Sequence, residues 1–291
     1  MTTKTIPALI ALYIFLCGTD CLADQTIVAG KVGEAPVIDG IDNDQLWQNV
    51  EPVVTRDKLA GIDIYLKAVH TDKEIFFLVR FPDPNESRTH KSWQWNPKKE
   101  LYGLGKDRED TLVFKWNMES GPVDLSIYAD NNYVADIWYW KANRTDPSGH
   151  ADDKSHVLNS IASKDAAKLT SRTGRTRYLL RPGDKGRSAY RSQIQTVYSA
   201  DTLPRYRNRK PTASRADVKA RGVWKDGWWT IELARALDTG FDDDIQFTGS
   251  KDFQFGVSRY EIAGREADHQ SNQPFHGKGD IGEGLTLILH E

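Results

Sequence analysis

Apolar and polar residues alternate along several short stretches of this sequence, with the two-residue period of strands that are buried on one face. In the clearest stretch, GIDIYLKAVHTDKEIFFLVRFPD, one face carries Ile62, Ile64, Leu66 and Ala68. After a break at residues 71–74, the same alternation resumes with Ile75, Phe77, Val79 and Phe81. This stretch predicts a β-hairpin with a four-residue connection and one buried face.

Three later stretches repeat the alternation, and the sequence ends in a further apolar run, GLTLILHE. The positions that share a face are Leu112, Phe114, Trp116 and Met118, then Trp229, Ile231 and Leu233, then Phe253, Phe255 and Val257. Helical spacing is confined largely to residues 159–169. Many short strands with few helices predict an all-β fold, an antiparallel β-sandwich with Greek-key or immunoglobulin-like connections and short helices.

The first residues, MTTKTIPALIALYIFLCGTDCLADQ, combine a lysine, a short apolar stretch and a small residue before Asp24. This pattern predicts a signal peptide over residues 1–23, cleaved near Ala23, and a periplasmic or secreted single domain over residues 24–291. No later stretch approaches the ~20 apolar residues of a transmembrane helix. Both cysteines lie in the signal, so we expect no disulfide and no Cys-x-x-Cys-His haem attachment in the mature chain.

Charge is distributed unevenly, although the formal net charge is only −2. Residues 171–221 contain eleven arginines and three lysines against three aspartates, a net charge of +11, so the rest carries −13. With few apolar residues there, we expect a long irregular insertion over about residues 155–221. Such a segment is either a solvated insertion or a docking surface for an acidic partner. Nucleic acid is not expected, since no nucleic-acid motif is present.

Signatures of common enzyme sites are missing, including the Gly-x-Ser-x-Gly elbow and the His-Glu-x-x-His metal helix. An unrecognised hydrolase is the weakest of the possible functions. Acidic runs occur at residues 152–153 and 242–244 beside turn residues, and we expect turn and surface carboxylates there. The alternative function is a carbohydrate-binding β-sandwich module without haem. Nine tryptophans supply stacking platforms for sugars, and DGIDNDQLW resembles the opening of xylan- and cellulose-binding modules.

Four segments carry a more specific resemblance: KDREDTLVFKWNM, DIWYWKANRTDPSGHADD, KDGWWTIELARALDTGFDDDIQF and FQFGVSRYEIAGREADHQ. Together they resemble the haem-binding domain related to the gamma subunit of ethylbenzene dehydrogenase and to periplasmic domains grouped with cytochrome c-552. The resemblance runs from about Asp39 to Leu289. It implies a sandwich that holds one non-covalent haem b between its sheets, passes single electrons and catalyses no reaction itself. The implied partners are molybdenum enzyme subunits or a c-type cytochrome.

The same resemblance implies the iron ligands. Met118 corresponds to the methionine ligand of the gamma subunits, although a methionine on an apolar face is also an ordinary core residue. For the second ligand the sequence departs from the lysine pattern. His269 resembles the histidine of periplasmic relatives and ranks first, with His276, Lys278 and then His70 as alternates.

Residues around the strand DIWYWK complete the expected site. Alternation places Trp138 and Trp140 on one side and Tyr139 and Lys141 on the other. We expect both tryptophans, with Trp116, to line the haem pocket. Lys141 and Arg144 are expected to bind the propionates, because a guanidinium suits bidentate pairing with a carboxylate and a lysine stem can reach past apolar surface. Lys141 could instead stack on a tryptophan as a cation.

Overall fold

The structure is a computed structural model that describes residues 25–57, 61–249, 252–259 and 280–290. Its helical elements are short: α1 (Gln45–Gln48) and the 3₁₀ helices Asp146–Ser148 and Ala213–Ala216. The strands of the described residues are β1 (Gln25–Lys31), β2 (Val53–Asp57), β3 (Ile62–His70), β4 (Glu74–Pro82), β5 (Trp93–Asn96), β6 (Leu101–Leu104), β7 (Thr111–Asn117), β8 (Tyr133–Lys141), β9 (Asp152–Asn159), β10 (Ala167–Thr170), β11 (Thr176–Leu180), β12 (Tyr190–Ser192), β13 (Thr202–Leu203), β14 (Tyr206–Asn208), β15 (Lys219–Lys225), β16 (Trp228–Ala236), β17 (Asp252–Ser258) and β18 (Leu285–His290).

Thirteen of these strands form one continuous sheet with the order β10-β11-β9-β8-β7-β17-β18-β1-β3-β4-β16-β15, and β2 pairs with β3 beside β1. Two small sheets, β12-β14 and β13-β5-β6, lie outside it. Most pairs are antiparallel, as the sequence predicts. The exceptions are the parallel pairs of β1 with β18 and with β3, which make the sheet mixed.

The large sheet folds over so that its two halves face each other across one apolar core. Phe77 of β4 lies 5.0 Å from Phe114 of β7, measured between ring centroids, and Trp140 of β8 lies 4.9 Å from Trp229 of β16. The predicted inward positions of β3, β4, β7, β16 and β17 belong to this core. The all-β sandwich is therefore confirmed. The β3–β4 connection spans residues 71–73, one residue shorter than predicted.

Several strands are buried on their outer faces as well. Phe76 and Leu78 of β4 pack against Trp47 of α1, and Val113 of β7 packs against Leu125 and Ile127. Such strands lose the clean alternation of a half-buried strand, because apolar residues then suit both faces. Among the described residues, no helix combines the length and the apolar character needed to cross a membrane.

The expectation of an irregular arginine-rich insertion is only partly right: residues 181–218 are largely irregular with three short strands, whereas the flanking parts form longer strands. The insertion contains β9 to β15, of which β9, β10, β11 and β15 join the large sheet. Arginines make part of this order themselves: Arg177 donates from Nη2 to the backbone oxygen of Asn131 at 2.7 Å, and Arg215 pairs with Asp152. Residues 159–169, which have helical spacing, form turns and the start of β10 instead.

Candidate functional site

The predicted alternation around the strand DIWYWK is confirmed. Trp138 and Trp140 are fully buried in the core, and Trp116 lies 5.1 Å from Trp138 between ring centroids. Trp116 also stacks on Phe255 at 4.4 Å. At these three tryptophans the space between the two halves of the sheet is thus filled by aromatic rings in mutual contact. The structure places a packed core where the sequence predicts the wall of a haem pocket.

Met118 lies just beyond the last residue of β7 and is half-buried. Its backbone N–H donates to Val134 O at 3.1 Å, so it extends the β7–β8 ladder by one bond. Its side chain borders a cavity of about 430 Å³ that Ile245 and Phe253 also line. A thioether at a cavity rim is available to a ligand, although Met118 is less buried than the core residues that share its face.

Lys141 and Arg144 lie at the opposite end of β7. Lys141 pairs with Thr111, the first residue of β7, whereas Met118 comes seven residues later, about 23 Å along the strand. Lys141 also faces the outer side of the sheet, opposite to Trp140. The structure therefore does not bring Met118 together with Lys141 and Arg144.

Both basic residues already have carboxylate partners. Lys141 Nζ lies 2.6 Å from Asp152 Oδ2, and Asp152 also pairs with Arg215. Burial lowers the pKa of Lys141 to about 8, although the Asp152 carboxylate raises it. Arg144 pairs with the fully buried Glu109, whose Oε2 also accepts the backbone N–H of Arg144 at 2.9 Å. A propionate would have to share these cations with the protein's own carboxylates.

An aromatic and basic cluster, which we call the basic end, surrounds Arg144. It consists of His90, Arg144, Tyr190, Arg205 and Tyr206. The Arg144 guanidinium lies 5.2 Å from the Tyr190 ring centroid and 5.4 Å from that of Tyr206, and the His90 ring lies 5.8 Å from Tyr206. Arg205 covers Tyr206 from 5.2 Å. Here the arginine-rich insertion, through Tyr190 to Tyr206, meets the segment that follows β8.

His90 is a buried residue that the sequence analysis missed. Its Nδ1 lies 3.5 Å from both the backbone N and Oε1 of Glu109, and no hydrogen bond to its Nε2 occurs among the described residues. Burial, together with the charges of Arg144 and Lys91, holds the pKa of His90 well below its usual range. The ring is therefore neutral, and Nε2 has the lone pair for a metal in the tautomer whose Nδ1–H faces Glu109 Oε1; when Nδ1 instead accepts the Glu109 N–H, Nε2 carries the proton. Its segment, ESRTHKS, lacks alternation, so no pattern distinguishes this histidine.

The remaining predicted ligands are placed differently. His70 is buried, and its ring nitrogens face two backbone oxygens, Thr71 O at 3.0 Å and His290 O at 3.1 Å. Neither ring nitrogen therefore faces an open position. His269, His276 and Lys278 lie outside the described residues. Before them, Arg259 donates to Asp83 Oδ2 at 3.0 Å, and after them Asp280 accepts the N–H of Ile127 at 2.9 Å.

The expectation of surface carboxylates is wrong for Asp152, Asp153 and Asp244, whereas Asp242 does lie exposed in a turn. Asp152 and Asp153 are fully buried, and Asp244 is 3% exposed. Asp153 and Asp244 meet Asp136 of β8 beside the buried Arg235. Neighbouring strand residues face opposite sides, so Asp152 joins Lys141 outside the sheet while Asp153 points into the sandwich. The ionic partners come from distant strands, which a local sequence pattern cannot show.

The tryptophans are mainly core residues. Trp47, Trp116, Trp138, Trp140 and Trp229 are fully buried. The other rings are half-buried and have neighbours: Arg205 lies 5.5 Å from the Trp93 ring, Tyr102 lies 5.0 Å from Trp95, and Arg80 lies 5.6 Å from Trp228. No fully exposed tryptophan occurs in the part of the chain that the structure describes.

Comparisons with known proteins give one family and distant similarities to solved structures. Two structures of a carbohydrate-binding module family 9 from Caldicellulosiruptor kristjanssonii resemble this chain at TM-scores of 0.41 and 0.39 and identities of 11% and 12%. The first structure is in complex with glucose, and the match covers 91% of this chain and 96% of that module. The second is in complex with cellotriose, and the match covers 91% of this chain and 93% of that module. No curated protein matches the sequence. The profile of the family described as "Ethylbenzene dehydrogenase" matches residues 44–272, which is well over half of the sequence, and the chain therefore belongs to that family.

Proposed function

We propose that this protein binds one non-covalent haem b and transfers single electrons to or from a redox partner, without catalysing a reaction of its own. Family membership supports the cofactor and the electron-transfer role. The observation that carries the proposal for this chain is His90, a buried and neutral histidine whose Nε2 has no hydrogen-bond partner among the described residues. Neutral imidazole is a common axial ligand of haem iron.

The residues of the basic end fit a haem in their chemistry. Tyr190 and Tyr206 supply aromatic rings, over which Arg144 and Arg205 already lie, and the same arginines supply positive charge for propionates. The packed aromatic core argues against a haem at the centre of the sandwich, where Trp116 and Phe255 are already stacked. A site at this end of the sheet therefore suits a planar cofactor better than the space between the sheets.

The segment that contains the other predicted ligands leaves the described structure near this end. Arg259 pairs with Asp83, and the charge of Asp110 also acts on Arg259. Asp110 directly follows Glu109, which contacts His90 and Arg144. We propose His269 as the second ligand beside His90 on the resemblance alone, since His269 lies outside the described residues. Met118, at the far end of β7, is the alternative that the resemblance implies.

A haem supplies reversible one-electron chemistry at its iron. The chain's own contribution is to hold His90 neutral, since the positive charges of Arg144 and Lys91 oppose protonation of the ring. Glu109 fixes Arg144 through the Arg144 side chain and backbone. Both effects keep a lone pair on His90 and a positive lip beside it, the conditions under which a ferric or ferrous haem can be held and tuned.

The partner proposal rests on the hairpin β12–β14. Arg191 and Arg207 lie directly opposite each other, and both are exposed. Like charges in this position destabilise a strand pair, so retaining them suggests a use outside the fold. A positive patch next to the basic end suits an acidic c-type cytochrome or enzyme subunit, because transient redox contacts are small and electrostatically steered. With the signal-like first residues, we place this exchange in the periplasm or outside the cell.

The test is a visible absorption titration of the mature protein with haem, comparing His90→Ala, Met118→Leu and His150→Ala. His150, which contacts Ser148 O through Nδ1 at 2.6 Å, is the matched control. We expect wild type, Met118→Leu and His150→Ala to give the same Soret band and the same sharp α and β bands on reduction. His90→Ala should shift these bands and weaken haem affinity by at least tenfold.

Two results would overturn parts of this proposal. If the wild-type protein binds no haem at all, the cofactor and the electron-transfer role both fail. If Met118→Leu changes the spectrum while His90→Ala leaves it unaltered, haem is bound but the ligand set is the one the resemblance implies. In either case, a changed absorption spectrum in His269→Ala would identify His269 as the second ligand.

A further inference from the structure

Three carboxylates meet inside the sandwich, on the opposite face of β9 from Asp152 and Lys141. Asp136 of β8, Asp153 of β9 and Asp244 of the β16–β17 connection each offer an oxygen, and these oxygens lie within 4.8 Å of one another. All three side chains are buried, with Asp136 and Asp153 at 0% exposure and Asp244 at 3%. We call these three residues the acidic triad. Carboxylates are almost never buried this deeply without a compensating cation.

The oxygens of the triad are not saturated by the protein. Asp136 Oδ2 accepts Arg235 Nη1 at 2.6 Å and the backbone N–H of Ile245 at 3.0 Å, but Asp136 Oδ1 has no hydrogen-bond partner among the described residues. Asp153 Oδ1 accepts only the N–H of Lys154, and its Oδ2 has no partner there either. Two fully buried carboxylate oxygens are thus left for a ligand.

Further oxygens surround the triad. Asp184 is 7% exposed, and its Oδ1 accepts Ser155 Oγ at 2.7 Å while its Oδ2 lacks a partner. Asp244 accepts Ser214 Oγ at 3.3 Å and Thr239 Oγ1 at 2.6 Å. These hydroxyls orient the Asp244 carboxylate and leave oxygen lone pairs nearby. The set of donors is composed of oxygen atoms, without sulfur or imidazole.

The charges do not balance within the protein. The triad carries three negative charges when ionised, and Arg235, fully buried against Asp136, offsets one. Arg235 Nη2 donates to the Ile245 carbonyl, and the Arg235 guanidinium lies 4.8 Å from the centroid of the Trp138 ring. Two negative charges therefore remain on the triad before Asp184 is counted, which is the charge that one divalent cation compensates.

We propose that the acidic triad binds one calcium ion that stabilises the fold, with Asp184 as a neighbouring carboxylate. Calcium takes six to eight oxygen ligands at about 2.3–2.6 Å, so two oxygens on one ion lie at most about 5 Å apart. The 4.8 Å limit for the triad meets that condition. Magnesium keeps several waters and is seldom enclosed by a cage of protein ligands, which makes it a poorer fit for a dry site.

The site links the paired strands β8 and β9 to the β16–β17 connection. Asp136 and Asp153 lie on adjacent strands, whereas Asp244 belongs to the β16–β17 connection and Asp184 follows β11. Calcium would replace the repulsion among the three buried carboxylates with an attractive contact to each of them.

The experiment measures thermal unfolding of the mature protein at pH 7.5, first after removal of metals with a chelator and then with added calcium chloride. We expect a saturable rise in Tm of about 5–10 °C at a hundredfold excess over Kd, and one bound calcium per chain by calorimetry. The protein should bind magnesium at least tenfold more weakly than calcium. Haem plays no part in this readout, so the test does not depend on the proposed function.

The variants Asp153→Asn and Asp244→Asn give the decisive comparison, with Asp242→Asn as a matched control. Asp242 belongs to the same acidic run but lies at the surface, 3.2 Å from Lys185. In chelator, both triad variants should be more stable than wild type, since each removes repulsion. In calcium the order should reverse, while the control keeps the wild-type response. A wild-type Tm unaffected by calcium, or raised more by magnesium, would overturn the proposal.

Discussion

Lys141 donates from Nζ to Asp152 Oδ2 at 2.6 Å, and neither side chain is more than 2% exposed. Removing one partner of a buried ion pair leaves the other charge without compensation, at a cost of about 3–5 kcal/mol. Asp152→Asn leaves both Lys141 and Arg215 without this carboxylate, so we expect the free energy of unfolding, measured with urea, to fall by the full amount of about 3–5 kcal/mol. Lys141→Met leaves Asp152 with Arg215 and should cost less, about 1–3 kcal/mol. Equal losses would contradict this arrangement.

The variant Lys141→Met also tests whether Lys141 binds a haem propionate. Since its Nζ is already engaged with Asp152 on the outer side of the sheet, Lys141→Met should leave haem affinity within about twofold of wild type. Arg144→Met, at the basic end, is the comparison and should weaken haem binding. A tenfold loss of affinity in Lys141→Met would restore the role that the sequence suggests for this lysine.

Gly222 of β15 lies against the Trp140 ring, and a Cβ at this position would overlap the ring carbons. Trp140 cannot move away easily, because its Nε1 donates to Asp146 at 2.9 Å and its ring packs edge-on against Trp229. We expect Gly222→Ala to destabilise the protein by about 1–3 kcal/mol in urea unfolding, the usual cost of overpacking. Gly103→Ala is the control, since its Cβ would meet no atom within 4 Å and should change stability by less than about 0.5 kcal/mol.

His156 of β9 gives a pH-dependent prediction. Burial, and then the charge of Lys115, hold the pKa of His156 well below 6.5, so the folded ring stays neutral while the unfolded chain takes up a proton below that pH. Stability is therefore complete above pH 6.5 and is lost as the pH falls. One such group should remove about 1.5 kcal/mol of unfolding free energy between pH 6.5 and pH 5.

Urea unfolding of wild type and His156→Gln over this pH range checks the effect. Burial lowers the pKa of the neighbouring Lys115 to about 7, so its own contribution changes above pH 7 and does not disturb the comparison. As the pH falls, the free energy of unfolding of wild type should decrease more steeply than that of His156→Gln. The difference in slope should correspond to about one additional proton taken up on unfolding. Parallel curves would show that the buried ring does take up a proton in the folded state.

Much of the fold was predictable because alternation reports burial on one face. The inward positions of β3, β4, β7, β16 and β17 were assigned correctly from their two-residue period. The opposite facing of Trp138 and Lys141 followed from the same rule. The strands within the insertion were missed because its arginines lie beside carboxylates and carbonyls of other segments, as Arg215 does beside Asp152. Composition alone resembles that of a solvated loop.

The candidate sites were less predictable, since each depends on contacts between residues far apart in the sequence. His90 becomes notable only when Glu109, Arg144 and Tyr206 surround it. The separation of Met118 from Lys141 follows from their positions at the two ends of paired strands, which requires the register. The sequence shows both residues within one short region and gives no sign that a strand length divides them.

Arg191 and Arg207 face each other across β12 and β14, and no ion pair to either occurs among the described residues. Replacing one by an acid converts cross-strand repulsion into attraction, so we expect Arg207→Glu to stabilise the protein by about 0.2–1 kcal/mol in urea unfolding.

The same change should reduce binding to an acidic surface, because natural proteins often retain such costly charges for function. Elution from immobilised heparin, a polyanion, measures the second effect. Lys164→Glu alters net charge equally at an exposed loop position and is the control. Arg207→Glu should elute at clearly lower salt than Lys164→Glu. A destabilised Arg207→Glu protein that elutes with the control would show that the two arginines neither repel each other nor form the docking patch.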